Sequence, residues 1–392
     1  MWRVIAGMSE ETETVILISP IRGDILNPKK GGEVYVRFII DDFLKQGNKI
    51  IILTPSQQSD NNNKKVLCHI FPSFGGVGSL LLGLNFPYLF RLARVVKQAK
   101  RKLKLALNGP FGAISTYILS KILNAEMIYI AHNVEADRYS EKSVFEHEVT
   151  FLWVLSPFVT LFETFAVKAD KIIAISKMDK KRFVERYIIL PEKIKINQPR
   201  IIISNSQNVK REKNNKNMKI VFHGSYRYLP NKEAMSIIKE YIAREIKYQC
   251  EFVVFGSGSP KLRQDNFLSL GFVDNIHEFL SSCDIAIVPL KRGAGVKLKM
   301  LDYMCVGLPI VTTKKGAEGL DLVNGKHAII VDDVNEEFIK AIEYLIENPK
   351  IRRRLGHNAK KLAKKKHTTS IVEMGNNEEG LMEIIDSNSP VY

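Results

Sequence analysis

Residues 283–320, CDIAIVPLKRGAGVKLKMLDYMCVGLPIVTTKKGAEGL, pack a strand, a glycine turn, a helix and a second strand into one span, and few folds accept that alternation. Ile285 to Pro289 is a short β-branched run, and Arg292-Gly293-Ala294-Gly295 is a turn whose glycines let the backbone come close to a ligand. The spacing predicts a helix opening at that turn, with Val296, Met300, Leu301 and Met304 on its apolar face, Gly307 at its end and Pro309 just beyond. Ile310-Val311-Thr312-Thr313 then resumes a strand. A helix N-terminus behind Gly-x-Gly, with Lys297 and Lys299 in its first turns, suits an anion, because free N–H groups and the positive dipole end point at it. A diphosphate is the expected anion. Taken alone, the turn reads equally well as an ordinary strand-to-helix loop of an α/β sheet.

The same alternation runs through the rest of the chain. A buried-strand run at 15–20 leads through a polar loop and the pair Gly31-Gly32 into a helix expected over 33–46, with a second strand at 49–53. This βαβ unit is the building block of a parallel sheet. Further strands are expected at 105–107, 127–130 and 169–176, with helices at 111–123 and 149–167, the latter broken by Pro157. The lysine- and asparagine-rich stretch 204–218 has no periodicity and marks the domain boundary. A second series begins at Lys219, with strands at 219–224 and 250–255, a strand and turn over 270–276 and two basic helices over 335–366. The expectation is an α/β chain of two Rossmann-like domains, 1–204 and 205–367, with the tail at about 368–392 crossing back to the first.

The string Gly293-x-Gly295-x-Lys297-x-Lys299-x-x-Asp302-Tyr303-Met304-x-x-Gly307-x-Pro309-Ile310-Val311-Thr312-Thr313 resembles the donor-binding segment of the family-four retaining glycosyltransferases, which have the GT-B fold of two domains facing across a cleft. The resemblance extends to Phe222-His223-Gly224, to Pro230-Asn231 and to His132-Asn133-Val134-Glu135. It implies that Asp302 grips the ribose of a nucleotide and that Arg292, Gly293, Gly295, Lys297 and Lys299 hold the diphosphate. Gly31 and Gly32 would approach the same phosphates, and His132 would face the sugar. Gly224 and Gly256 would stand beside the nucleotide, and Phe272 and Val273 would hold its base. Many members carry two Glu with seven residues between them; here the second is Asp302 and the first falls on Ala294, a sub-pattern in which the glycine loop replaces that carboxylate.

Charge enters where partners are concerned. A formal net charge of +16 asks for an anionic partner: nucleic acid, a phosphorylated substrate or an acidic membrane. Nucleic acid is set aside, since no helix-turn-helix, zinc-finger or RNA-binding signature accompanies the lysines. The twenty residues 71–90 carry no charge, but Pro72, Pro87 and several glycines argue against a spanning helix. The basic amphipathic segment 91–105 follows directly. Together they read either as a surface resting on an anionic bilayer or as a core helix with a solvated lysine face. Four scattered cysteines without a C-x-x-C pair indicate buried single thiols in a reducing compartment. With no signal-peptide pattern in the first residues, a cytoplasmic protein, peripheral on the membrane's inner face, is expected.

Function follows from the resemblance. It implies a retaining glycosyltransferase of hexosyltransferase type that moves a sugar from a nucleotide-sugar to a glycan or lipid-linked acceptor. Two rivals remain: an epimerase-like enzyme acting on free nucleotide-sugar, and a non-catalytic glycan- or nucleotide-binding descendant. No Asp-x-Asp stands on a loop, so neither metal nor other cofactor is expected.

Overall fold

The computed structural model describes residues 13–20, 24–28, 31–59, 65–70, 96, 103–140, 150–202, 218–293 and 295–369. The apolar stretch 71–90, nearly all of the basic segment 91–105, most of the boundary at 204–218, Ala294 and residues 370–392 lie outside it. Two compact units result, one of residues 1–197 and one of 198–392.

The first unit is built on a seven-stranded parallel sheet. Its strands are β1 (Thr14–Ile18), β2 (Lys49–Thr54), β3 (Val66–Ile70), β4 (Leu103–Asn108), β5 (Glu126–Ala131), β6 (Lys171–Ala174) and β7 (Ile194–Ile196). They lie in the order β3-β2-β1-β4-β5-β6-β7, so the order reverses between β1 and β4. Val15, Ile16, Leu17 and Ile18 are all buried, as a parallel strand covered on both faces requires. The helices are α1 (Gly31–Lys45), α2 (Ala113–Leu123), α3 (Glu135–Ser140), α4 (Thr150–Ala166) and α5 (Lys177–Tyr187). Two differences from expectation stand out. Gly31 and Gly32 form the first turn of α1 instead of a loop before it. Helix α4 runs through Pro157, which removes one backbone bond without ending a helix held down by buried Val159, Phe162 and Ala166.

The second unit repeats the plan. Its main sheet takes β9 to β15, after a short strand β8 (Ile201–Ile202): β9 (Met218–His223), β10 (Cys250–Phe255), β11 (Lys261–Gln264), β12 (Phe267–Leu270), β13 (Ile285–Val288), β14 (Ile310–Thr313) and β15 (Ile329–Val331). The order is β11-β12-β10-β9-β13-β14-β15. All neighbours are parallel except the hairpin β11-β12, which the sequence reading lacked. Helices α6 (Leu229–Ile237), α7 (Ile276–Ser281), α8 (Leu298–Val306), α9 (Lys314–Ala317), α10 (Glu336–Glu347) and α11 (Pro349–Lys366) cover it. A last pair of residues, β16 (Thr368–Thr369), adds to β8.

Helix α8 opens at Leu298, later than the apolar spacing suggested, with Lys297 as its N-cap and Val296 in the loop. It ends on left-handed Gly307, and α11 packs so closely there that a Cβ on Gly356 would lie 2.1 Å from the Gly307 carbonyl oxygen. Cys250, Cys283 and Cys305 are buried, but Cys68 is exposed on β3, which has one neighbouring strand among the described residues.

Candidate active site

In an open parallel sheet the carboxyl ends of the strands, near the reversal of strand order, are where ligands collect, because the two flanking loops diverge there. Both units place their sequence-predicted residues at such ends.

In the first unit the reversal lies between β1 and β4. Ser19 follows β1, Asn108 ends β4 and His132 follows β5. Asn108 Nδ2 donates to Ser19 Oγ across 2.9 Å, and Asn108 Oδ1 lies 2.6 Å from His132 Nε2. A Cβ built on Gly32 would sit 3.7 Å from Nδ1 and Cε1 of His132, so the first turn of α1 and the imidazole are neighbours. Tyr35 meets the same ring edge-on at 5.4 Å. Burial pulls the His132 imidazole below its usual range, partly opposed by the charge of Glu135, so the ring is neutral at physiological pH.

Behind His132 stands a carboxylate that sequence reasoning did not single out. Glu163 of α4 is fully buried and accepts from Tyr129 Oη (3.1 Å), Tyr187 Oη (2.7 Å) and the backbone N–H groups of Glu135 and Ala136 (2.9 Å each). It caps the start of α3 and so fixes the turn that carries His132 and Asn133. Burial pushes its pKa up to about 7 despite those donors.

In the second unit the reversal lies between β9 and β13. The loop after β9 holds Gly224, that after β10 holds Gly256, that after β12 holds Phe272 and Val273, and that after β13 holds Arg292, Gly293 and Gly295. Gly256 is pressed against Gly224: a Cβ there would lie 2.1 Å from the Gly224 carbonyl oxygen. A Cβ on Gly224 would in turn lie 2.6 Å from Lys299 Nζ. Bare backbone is thus required at Gly256, while a Cβ at Gly224 would displace the Lys299 ammonium and the Asn231 amide. Gly293 and Gly295 have φ of 113° and 70°, which the loop's tight reversal demands. Phe272 is 59% exposed, which leaves its side chain open to stacking.

The basic side chains divide. Lys297 is buried and folds back into its own loop, donating to the carbonyls of Gly293 (2.9 Å) and Gly295 (2.5 Å), with Glu318 at 3.8 Å. Arg292 makes a two-point ion pair with Glu233 of α6. Lys299, partly buried, donates to Asn231 Oδ1 across 2.6 Å and lies 4.0 Å over the Phe222 ring, beside the two glycines. Burial, and then the charge of Lys297, lower its pKa well below the lysine range. Of the three, Lys299 is the cation beside Gly224.

Asp302, one turn along α8, accepts from His277 Nε2 at 3.0 Å and has His223 Nε2 3.3 Å from its other oxygen. Burial raises its pKa, but the two imidazoles outweigh burial and hold the carboxyl at about 2. The site therefore offers a fixed anion and a half-buried cation a few residues apart, which is what a nucleotide's hydroxyls and phosphates ask for. Asn231, His277 and Glu233 complete it; of these, sequence reading had noticed only Asn231, within Pro230-Asn231. Among the described residues no group of three or more His, Cys, Asp or Glu is arranged to hold a metal ion, and no helix is long and apolar enough to cross a membrane.

Two Rossmann-like units, each an open and mostly parallel sheet, define the GT-B class. The solved structure of a glycosyltransferase from Rickettsia africae matches with a TM-score of 0.68 at 14% identity, covering 97% of this chain and all of the other. Anabaena HepE, solved in complex with UDP-glucose, matches with a TM-score of 0.64 at 14% identity, covering 95% and 99%. The chain belongs to the group 1 glycosyltransferases: residues 29–201 match Glycosyltransferase Family 4 and residues 217–348 match Glycosyl transferases group 1. An uncharacterized glycosyltransferase of Methanocaldococcus jannaschii, MJ1069, is 28% identical over 218 residues, 50% of this chain and 54% of its own length. The chain thus spans about half the length of that curated relative.

Proposed function

We propose that this chain transfers a sugar, a hexose in the first instance, from a nucleoside diphosphate sugar to a glycan or lipid-linked acceptor hydroxyl, with retention at the anomeric carbon. The observation that carries the reading is the cradle in the second unit, where Lys299 and the bare backbones of Gly224 and Gly256 meet beside the ionised Asp302. That combination suits a diphosphate next to a ribose.

In the proposed reaction the bond from the anomeric carbon to the β-phosphate oxygen breaks, and charge grows on the departing diphosphate. Lys299 and the N–H groups around Gly224 and at the N-terminus of α8 stabilise it, which is where preorganised dipoles and cations act most strongly. The acceptor oxygen bonds to the same face of the sugar, and its proton passes to the leaving diphosphate. Asp302 accepts from the ribose hydroxyls and Phe272 stacks on the base beside Val273, while in the first unit His132 and the first turn of α1 offer polar groups to a sugar hydroxyl. Lys297 and Arg292 shape the loop through Gly293, Gly295 and Glu233. The relatives' printed activity and the UDP-glucose held by HepE support the donor class.

A lipid-linked acceptor at an anionic membrane is supported by the net charge of +16 and by exposed Ile118, Ile122, Phe158 and Leu161 on α2 and α4, near Lys121 and Lys168. The deciding experiment incubates the protein with UDP-, GDP- and ADP-sugars and lipid-linked acceptors, and reads product by mass spectrometry and anomeric configuration by NMR. Retained configuration in a transferred sugar is the expected result. Isomerised free donor, or tight binding with no product on any acceptor, would overturn the reading.

A further inference from the structure

The pairing of Asn108 with His132 settles more than distance. A neutral imidazole carries its proton on one ring nitrogen only, and its neighbours choose which. Nε2 faces Asn108 Oδ1 at 2.6 Å, while the Nδ1 edge faces Gly32 in the first turn of α1. That helix has fifteen residues, and its N-terminal turn, where Gly32 lies beside Nδ1, is the positive end of its dipole. A proton on Nδ1 would point positive charge at positive charge; a lone pair there is favoured. With the proton on Nε2, Asn108 accepts through Oδ1 and its amide donates to Ser19 Oγ, so both ends of the Asn108 amide are engaged. The reversed amide would put the proton on Nδ1, against the helix end.

We propose that Asn108 is a positioning residue that holds His132 as the neutral Nε2–H tautomer, leaving Nδ1 as a hydrogen-bond acceptor at the carboxyl end of the first sheet. For function the inference rests on the sugar-transfer reading: an acceptor at Nδ1 selects a ligand hydroxyl that donates, not one that accepts. Asn108 is buried at the end of β4, and Ser19 orients its amide from the neighbouring strand, so the pair is built before any ligand arrives. Nothing in the sequence pattern marks Asn108, since an Asn before Gly109-Pro110 reads as an ordinary turn.

The test is ring-nitrogen NMR on the full, ligand-free chain labelled with ¹⁵N-histidine. The chain has eight histidines, and the signals of His132 are those lost in His132→Gln. Wild type should show a protonated Nε2 and an unprotonated Nδ1. Asn108→Ala should shift the tautomer ratio roughly tenfold toward Nδ1–H, the worth of one hydrogen bond. Asn108→Asp, which keeps the acceptor, should retain the wild-type tautomer. A protonated Nδ1 in wild type, or an unchanged ratio in Asn108→Ala, would overturn the proposal. The wild-type reading uses His132→Gln only for assignment and does not depend on the folding of either Asn108 variant. Because no donor is present, it stands or falls apart from the sugar-transfer reading, which the product assay alone decides.

Discussion

The Nε2 of His277 lies 3.0 Å from Asp302 Oδ1, so a histidine on the short helix α7 orients the carboxylate of α8. Burial alone would favour the protonated acid, and removing either imidazole moves the balance that way. His277→Ala is expected to weaken nucleotide binding about tenfold, the worth of one hydrogen bond to a charged group. Calorimetric titration of wild type and variant with the preferred nucleotide checks it; equal affinity would contradict the orienting role.

Asp302 also ties stability to acid. Its folded pKa of about 2 lies below the ordinary 3.8, so the stabilisation is present above the ordinary value and is lost as pH falls through about 2. The contribution is of the order of 2 kcal/mol. Urea midpoints followed between about pH 5 and pH 2 should fall in wild type and lose that part of the slope in Asp302→Asn.

Lys299 leads to the opposite window. A lysine whose folded pKa is lowered loses its charge as pH rises through that value, before an exposed lysine would. Nucleoside diphosphate affinity should therefore decline on the alkaline side. In Lys299→Ala it should be weaker by about 1.5–3 kcal/mol and lack that decline. Dissociation constants measured from about pH 6 to pH 10 decide it.

Gly256→Ala places a methyl group where the Gly224 carbonyl oxygen stands, 2.1 Å away. Backbone is the obstacle, so no rotamer relieves it. A destabilisation of about 1–3 kcal/mol in chemical denaturation is expected, with loss of nucleotide binding because the Gly224 loop must move.

Glu163→Gln replaces an acceptor of four donors by a group with one oxygen and an NH₂ that must face an N–H or hydroxyl partner. A loss of about 1–3 kcal/mol is expected. In wild type the raised pKa makes the ionised carboxyl unfavourable when folded, so stability attributable to Glu163 declines from about pH 4.5 to pH 7. Midpoints of wild type and variant across that range should converge as pH rises.

Much of the fold was legible because it is written in local pattern. Runs such as Val15 to Ile18 and Ile310 to Thr313 are β-branched, the intervening helices show a single apolar face, and glycines mark the turns between them. The hairpin β11-β12 escaped notice because Lys261 to Gln264 is a polar edge segment with neither alternation nor an apolar run. The continuity of α4 through Pro157 escaped it because packing of the turns on either side outweighs one missing backbone bond.

The chain order alone determined the family, the alternation of strands and helices, and which loops carry glycine, lysine and aspartate, since each is a property of neighbours a few residues apart. Only the tertiary structure decided what those side chains touch. Lys297 turns inward to its own loop while Lys299 lies beside Gly224, a difference between two lysines separated by one residue that no spacing rule distinguishes. Asp302 meets His277, Lys299 meets Asn231, and His132 meets Asn108 across gaps of 25, 68 and 24 residues. Such partners are set by which strand ends lie side by side, and strand order follows from burying two faces of a whole sheet at once, which no short stretch of sequence encodes.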